Sequence, residues 1–221
     1  DVPEHRRKVS LRDDRMVARV AVIDPALTDG TPRSVTLASG LDAVVQVIEP
    51  YLCTRANPYT DALARAAIPV GLAAMKRLMA GEDVDARDRM AWVSLSGGLC
   101  LANSGLGAVH GFAGVIGGLT GAAHGAVCGA LLVPVLRLNA RALGASGRMA
   151  EVMGWIAAEH GSFDGFAEWM RDAGLPGLAA LGVDPADHDR IAEAALQASS
   201  MKANPVEPPL TDLVACLEEA A

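Results

Sequence analysis

Two histidines, His110 and His124, lie in a run from Met90 to Leu136 that holds no Asp, Glu, Lys or Arg, beside Cys100 and Cys128. An imidazole is costly to bury in apolar surroundings unless something binds it. Neutral imidazole is also the commonest protein ligand for metals. Each histidine is followed by a glycine, Gly111 or Gly125, which points to a close approach of backbone and ligand. Upstream, Asp42, Gln46 and Glu49 recur at i, i+4 and i+7, along one polar stripe of a helix. A carboxylate with two imidazoles is a standard set for zinc or ferrous iron, and such an ion polarises an alcohol or carbonyl oxygen as a Lewis acid. The candidate constellation is therefore Asp42, Gln46, His110 and His124. His110 and His124 are too far apart for an HExxH arrangement on one helix, so two helices, or a helix and a loop, must converge. Spacing alone leaves two readings open: metal ligands, or a helix-capping carboxylate with two hydrogen-bonded core histidines.

The elements that must bring these residues together read as helices. Ser39 is placed to cap a first helix, with Asp42 as a capping-box partner and Leu41, Val44, Val45, Ile48 and Leu52 as its apolar stripe. Asn57-Pro58 opens a second helix that runs to about Ala80 and stops at Gly81, with Pro69 inside it. A third begins near Asp83 to Asp85 and runs into Gly97-Gly98. Further helices are expected near 106–117, 125–142, 147–160, 163–173, 187–199 and 210–220. Val17 to Ile23 alternates and is β-branched, which predicts a short strand ended by Asp24-Pro25. The composition changes near Pro32, where a domain boundary is placed.

Composition narrows the function classes. The net charge is −7, which argues against a nucleic-acid binder, and aromatics are too few for a base-stacking platform. Four cysteines form no CxxC pair and no disulfide framework, so a reducing cytoplasm is the expected location. The highly charged start, DVPEHRRKVSLRDDR, is not a signal peptide. The chain begins with Asp and is expected to be a C-terminal piece of a longer protein. The charge-free run is long enough to cross a bilayer and carries small-xxx-small patterns. Its dense glycine, Asn103, the two histidines and the lack of an aromatic or basic belt favour a buried helical layer instead.

The segments LASGLDAVVQVIEPYL with NPYTDALA, and SGGLCLANSGLGAVHGFAGVIGG with AAHGAVCGALLVPVLRLN, resemble the iron-containing alcohol dehydrogenase family. VAVIDPALTDGTP looks like that family's crossover between domains, and ANPVEPPLTDLVACLEEA like its last helix. The resemblance implies an all-α, metal-binding domain of the dehydroquinate synthase-like/iron-containing alcohol dehydrogenase fold over residues 33–221. Residues 1–32 then form the remnant of, or linker from, an N-terminal dinucleotide-binding α/β domain. The glycine-rich phosphate-binding turn of that domain is absent, since GAVHG follows no strand.

The resemblance also implies a function: an oxidoreductase moving hydride between an alcohol and its aldehyde or ketone and NAD or NADP, with Fe²⁺ or Zn²⁺ polarising the substrate oxygen. Asp42, His110 and His124 fall on three positions of the family's one-Asp, three-His set. The fourth position holds Gln46, which could add a weak carbonyl oxygen; an Asp-His-His set still suits zinc, as in the related glycerol dehydrogenases. Many family members carry a further histidine four residues after His110, and here that position is Gly114. Lys8 matches a family lysine near the cofactor, with a solvated charge run as the competing reading. Asn103 is read as a brace for His110, His160 as a partly positive ring at a helix C-terminus, and His188 as part of a surface turn. A small-molecule alcohol or carbonyl substrate and a homodimer are implied, with no nucleic-acid or membrane partner. Two alternatives stand beside this: a metal-independent reductase of the same fold, as in maleylacetate reductases, and a non-catalytic helical dimerisation domain.

Overall fold

The computed structural model describes residues 13–221, and regular structure among them is helical. The helices are α1 (Arg33–Leu52), α2 (Pro58–Ala80), α3 (Val84–Asn103), α4 (Ala108–Thr120), α5 (His124–Leu143), α6 (Gly147–His160), α7 (Phe163–Asp172), α8 (His188–Leu196) and α9 (Leu210–Glu219). The all-α class read from the sequence is what the chain adopts. The strand expected over Val17 to Ile23 is not formed. Val20 and Val22 there are exposed, and among the described residues no strand offers a ladder for their backbone groups to pair with. Alternation of β-branched residues signals a strand only where a neighbouring strand takes its hydrogen bonds.

Local chemistry sets the helix ends. Asn57 caps α2: its Oδ1 accepts from the Tyr59 and Thr60 N–H groups, and Thr60 Oγ1 accepts from the Asn57 N–H. Pro58 at the first helical position is pre-set for the turn, and Gly81 ends the helix as expected. Asp83 caps α3 by accepting from the Ala86 N–H at 3.0 Å. α1 begins at Arg33 rather than at Ser39. Ser39 is interior, and its hydroxyl donates back to the Val35 carbonyl at 2.7 Å, which satisfies a serine without a cap. α3 does not stop at Gly97-Gly98 but continues to Asn103. A Cβ at Gly97 would lie 2.9 Å from Gln46 Cβ, so this glycine marks a close helix crossing, not a helix end.

α1 is the central helix. It packs against α2, α3 and α5, while α5 also packs against α4, α7 and α9. The stripe Leu41, Val44, Val45, Ile48 and Leu52 is buried as the periodicity requires. Each such side chain contributes about 1.5–3 kcal/mol by leaving water. α6 is fastened to this centre by Arg148, which donates to both oxygens of Asp61, at 2.7 and 2.6 Å, and to the Tyr51 carbonyl at 2.7 Å.

The charge-free run supplies most of α3, all of α4 and the first part of α5. It is not one continuous rod: α3 and α4 meet at 98°. α5 is long and apolar enough to cross a membrane by length and composition, and 67% of its apolar window is buried inside the fold. Burial in the helical layer accounts for its apolar composition.

Candidate metal centre

Three helices converge at one point. α1 presents Asp42, Gln46 and Glu49; α4 presents His110 from its first turn; α5 presents His124 as its first residue and Cys128 one turn later. One ligand atom from each of Asp42, His110, His124 and Cys128 lies within 4.8 Å of all the others. Neighbouring donors around a tetrahedral zinc, at bond lengths of 2.0–2.3 Å, are spaced by about 3.3–3.8 Å. Asp42 Oδ1 is 3.3 Å from His110 Nε2 and 3.9 Å from His124 Nε2. Cys128 Sγ is 3.6 Å from His124 Nε2.

Glycine permits this approach. A Cβ at Gly125 would lie 2.3 Å from the Ala38 carbonyl oxygen, so only glycine lets the start of α5 rest on α1. The contact at Gly111 is looser: a Cβ there would lie 3.1 Å from Met201 Cβ, tight but against a side chain. The glycines after the two histidines therefore serve helix packing, where the sequence suggested an approach of backbone to ligand.

His110 is held from behind. Its Nδ1 is 2.7 Å from Glu49 Oε2, and Glu49 Oε1 accepts from the Val109 N–H at 2.7 Å. Glu49 is only 6% exposed. A carboxylate at the start of α4 also suits the positive end of that helix. With Nδ1 on Glu49, Nε2 points into the centre. There, Nε2 and Asp42 Oδ1 are both buried with no hydrogen-bond partner, although they lie only 3.3 Å apart. Two orphaned buried polar atoms 3.3 Å apart are costly unless something sits between them. The donor set of carboxylate, two imidazoles and a thiol, with both orphans aimed at one point, fits a divalent transition metal.

Burial pushes the His110 imidazole down, but Asp42 and Glu49 outweigh it and raise it to about 9. Burial pushes the Asp42 carboxyl up; His110, His124 and Cys128 together outweigh that and hold it below the usual carboxylate range. The pocket thus favours a cation next to Asp42, whether a proton on the ring or a metal ion.

The sequence located three of these residues. Gln46, expected to add a weak carbonyl oxygen, donates from its Nε2 to Asp42 Oδ2 at 3.2 Å. Glu49 lies on the same polar stripe as Asp42, and that shared face is the signal for its place behind His110. Cys128 was visible beside His124, and its i, i+4 spacing was the signal that it shares the centre. Gly114, one turn after His110, faces open space.

Other expectations are corrected. Asn103 does not brace His110; its amide donates to the Leu99 carbonyl and its carbonyl accepts from Asn57. His160 is not a positive cap: burial, then the Lys76 charge, lower it to about 4, and its ring packs on Phe166 and Trp169. His188 is buried rather than on the surface, because α8 packs against α4 and α9. Lys8 lies outside the described residues.

A helical domain built around a carboxylate, two imidazoles and a thiol defines the class. Residues 36–221 match the Fe-containing alcohol dehydrogenase family, C-terminal, and the chain belongs to that family. It is 35% identical to the lactaldehyde reductase of Escherichia coli (strain K12), over 96% of this chain and 57% of that protein. It superposes on the alcohol dehydrogenase from Oenococcus oeni with a TM-score of 0.79 and 31% identity, over 90% of this chain and 54% of that one. It also superposes on the maleylacetate reductase from Rhizobium sp. strain MTP-10005 with a TM-score of 0.82 and 25% identity, over 95% of this chain and 59% of that one. The chain spans about half the length of the curated relatives it matches.

Proposed function

We propose that residues 33–221 are the metal- and substrate-holding part of an NAD(P)-dependent oxidoreductase that interconverts an alcohol and its aldehyde or ketone. The observation that carries this reading is the convergence of Asp42, His110 and His124 with two buried atoms left unpaired. Asp42, His110 and His124 would hold Zn²⁺ or Fe²⁺. Bound there, the ion would supply Lewis acidity toward a hydroxyl or carbonyl oxygen. Glu49 keeps the His110 ring with Nε2 inward, and Gln46 keeps Asp42 in register. His124, with 37% of its side chain exposed, marks the side from which a small substrate arrives. The apolar run keeps water from His110, whose side chain is 7% exposed. The nicotinamide dinucleotide would be held by an α/β unit that residues 33–221 do not include, with residues 1–32 as the connection. The four cysteines are buried and form no disulfide with one another, in keeping with a reducing cytoplasm as the working compartment.

Elemental analysis of freshly purified protein, never exposed to chelator, tests this. About one zinc or iron per chain, lost in His124→Ala, is the expected result. No stoichiometric metal after reconstitution with either ion would sink the reading.

A second reading is a metal-independent reductase of the same fold, and the likeness to maleylacetate reductase together with Gln46 and Gly114 favours it. The retained Asp42 counts against it. Turnover that survives a strong chelator would select it.

A further inference from the structure

We propose that Cys128 is a direct sulfur donor to the metal at this centre, beside Asp42, His110 and His124. The inference rests on the metal reading above and concerns one donor within it. Cys128 Sγ belongs to the group of ligand atoms that lie within 4.8 Å of one another, and its side chain is fully buried. It follows His124 by one turn of α5, so both donors leave the same face of one helix. Gln46, on the polar stripe, donates from its Nε2 to the outer oxygen of Asp42, Oδ2. Independently of the thiol, His110 Nε2 and Asp42 Oδ1 are buried without partners and aimed into the same point, with the His110 side chain 7% exposed.

Packing alone does not explain a cysteine here. A buried thiol in a core behaves as a small apolar side chain, as Cys100 does with its Sγ 3.6 Å from the Thr60 carbonyl. Cys128 instead faces a carboxylate and an imidazole. On ligation the S–H proton leaves to water and the sulfur lone pair bonds the cation, with no change of oxidation state. Sulfur is a soft donor, so the set Asp42, His110, His124 and Cys128 leans toward zinc over ferrous iron.

Titration of metal-free protein with Co²⁺, followed by absorption, tests the donor without any activity assay. Visible d–d bands report cobalt at the centre, and a near-ultraviolet sulfur-to-cobalt charge-transfer band reports a thiolate ligand. The expected result is both bands at about one cobalt per chain, with the charge-transfer band lost in Cys128→Ser and kept in Cys100→Ser. In Cys128→Ser, zinc affinity should fall by more than the about 10–100-fold typical of an outer-shell partner. Visible bands without the charge-transfer band in the unaltered protein would overturn the sulfur donor while leaving the metal reading intact. A charge-transfer band that persists in Cys128→Ser would overturn it as well. No cobalt spectrum at all would overturn both.

Discussion

Glu49 Oε2 lies 2.7 Å from Nδ1 of His110, while the other oxygen of the same carboxylate accepts from the Val109 N–H. One side chain of α1 therefore fixes both a donor ring and the helix that carries it. Gly107 makes room: a Cβ there would lie 2.8 Å from Glu49 Oε1. The ring orientation, not only the presence of the ring, is built into the packing of α1 against α4.

This arrangement separates two variants. Glu49→Gln keeps an acceptor for one N–H but cannot hold the ring and the backbone with the same charge. It should weaken zinc binding by about 10–100-fold with a modest effect on unfolding. Glu49→Ala also strands the Val109 N–H and should cost about 1–3 kcal/mol of stability. Competition with a chromophoric chelator measures the first effect, and urea unfolding of metal-free protein the second. Unchanged zinc affinity in both variants would show that Glu49 does not orient His110.

The start of α4 has a second anchor. Asn204 Oδ1 accepts from the Ala108 N–H at 3.2 Å, and its amide donates to Asn139 Oδ1 at 2.8 Å and to the Val206 carbonyl at 2.9 Å. Both asparagines are buried. Asn204→Ala leaves these partners without their bonds, and a loss of about 1–3 kcal/mol is expected. A midpoint in urea equal to that of the unaltered protein would mean that water replaces the amide.

Much of this organisation was legible from residue types. The Asn57 cap and the Gly81 stop of α2 follow from local chemistry that tertiary contacts do not override. His110 and His124 stood out because ionisable groups in an apolar run need partners, and Asp42 stood out on the polar stripe of its helix and through the family resemblance. What escaped reading depended on neighbours from other helices. Ser39 has the chemistry of a cap, but an earlier turn of α1 leaves it interior. Gly97 looks like a helix end and Gly125 like an approach to a ligand in one dimension, and both are contact points between helices in three. Glu49 reads as a solvated stripe residue until α4 is laid over it. His160 sits where a charged ring would suit the helix end, but Phe166 and Trp169 bury it.

The glycines give a paired prediction. At Gly125 an added Cβ meets backbone, the Ala38 carbonyl oxygen at 2.3 Å, whereas at Gly154 in α6 it meets nothing within 4 Å. Gly125→Ala must push the start of α5 off α1, costing about 1–3 kcal/mol and displacing His124. Gly154→Ala should instead stabilise by about 0.5–1 kcal/mol, the gain from replacing glycine in a helix. Thermal unfolding of both, with zinc content of the first, checks the pair. If Gly125→Ala unfolds like the parent protein and keeps its metal, the close crossing is not what places His124.

His160 sets a pH dependence away from the metal centre. Burial, with the Lys76 charge acting in the same direction, lowers its imidazole to about 4 from an ordinary 6.5, and its Nε2 is buried without a partner. Above pH 6.5 the ring is neutral in both folded and unfolded chains, so it makes no difference to stability. Between 6.5 and about 4 the unfolded chain takes up a proton that the folded chain refuses, and stability falls with falling pH. Below about 4 both states are protonated and the loss levels off. The full loss is about 1–3 kcal/mol after allowing for partial solvent screening of the ring. His160→Phe keeps a ring against Phe166 and Trp169 but cannot titrate. The stability difference between the two proteins should therefore grow between pH 6.5 and 4 in favour of the variant, while carboxylates titrating in both cancel. Parallel urea curves at several pH values read this difference. A constant difference across that range would mean that His160 is protonated in the folded chain and that its ring stack tolerates the charge.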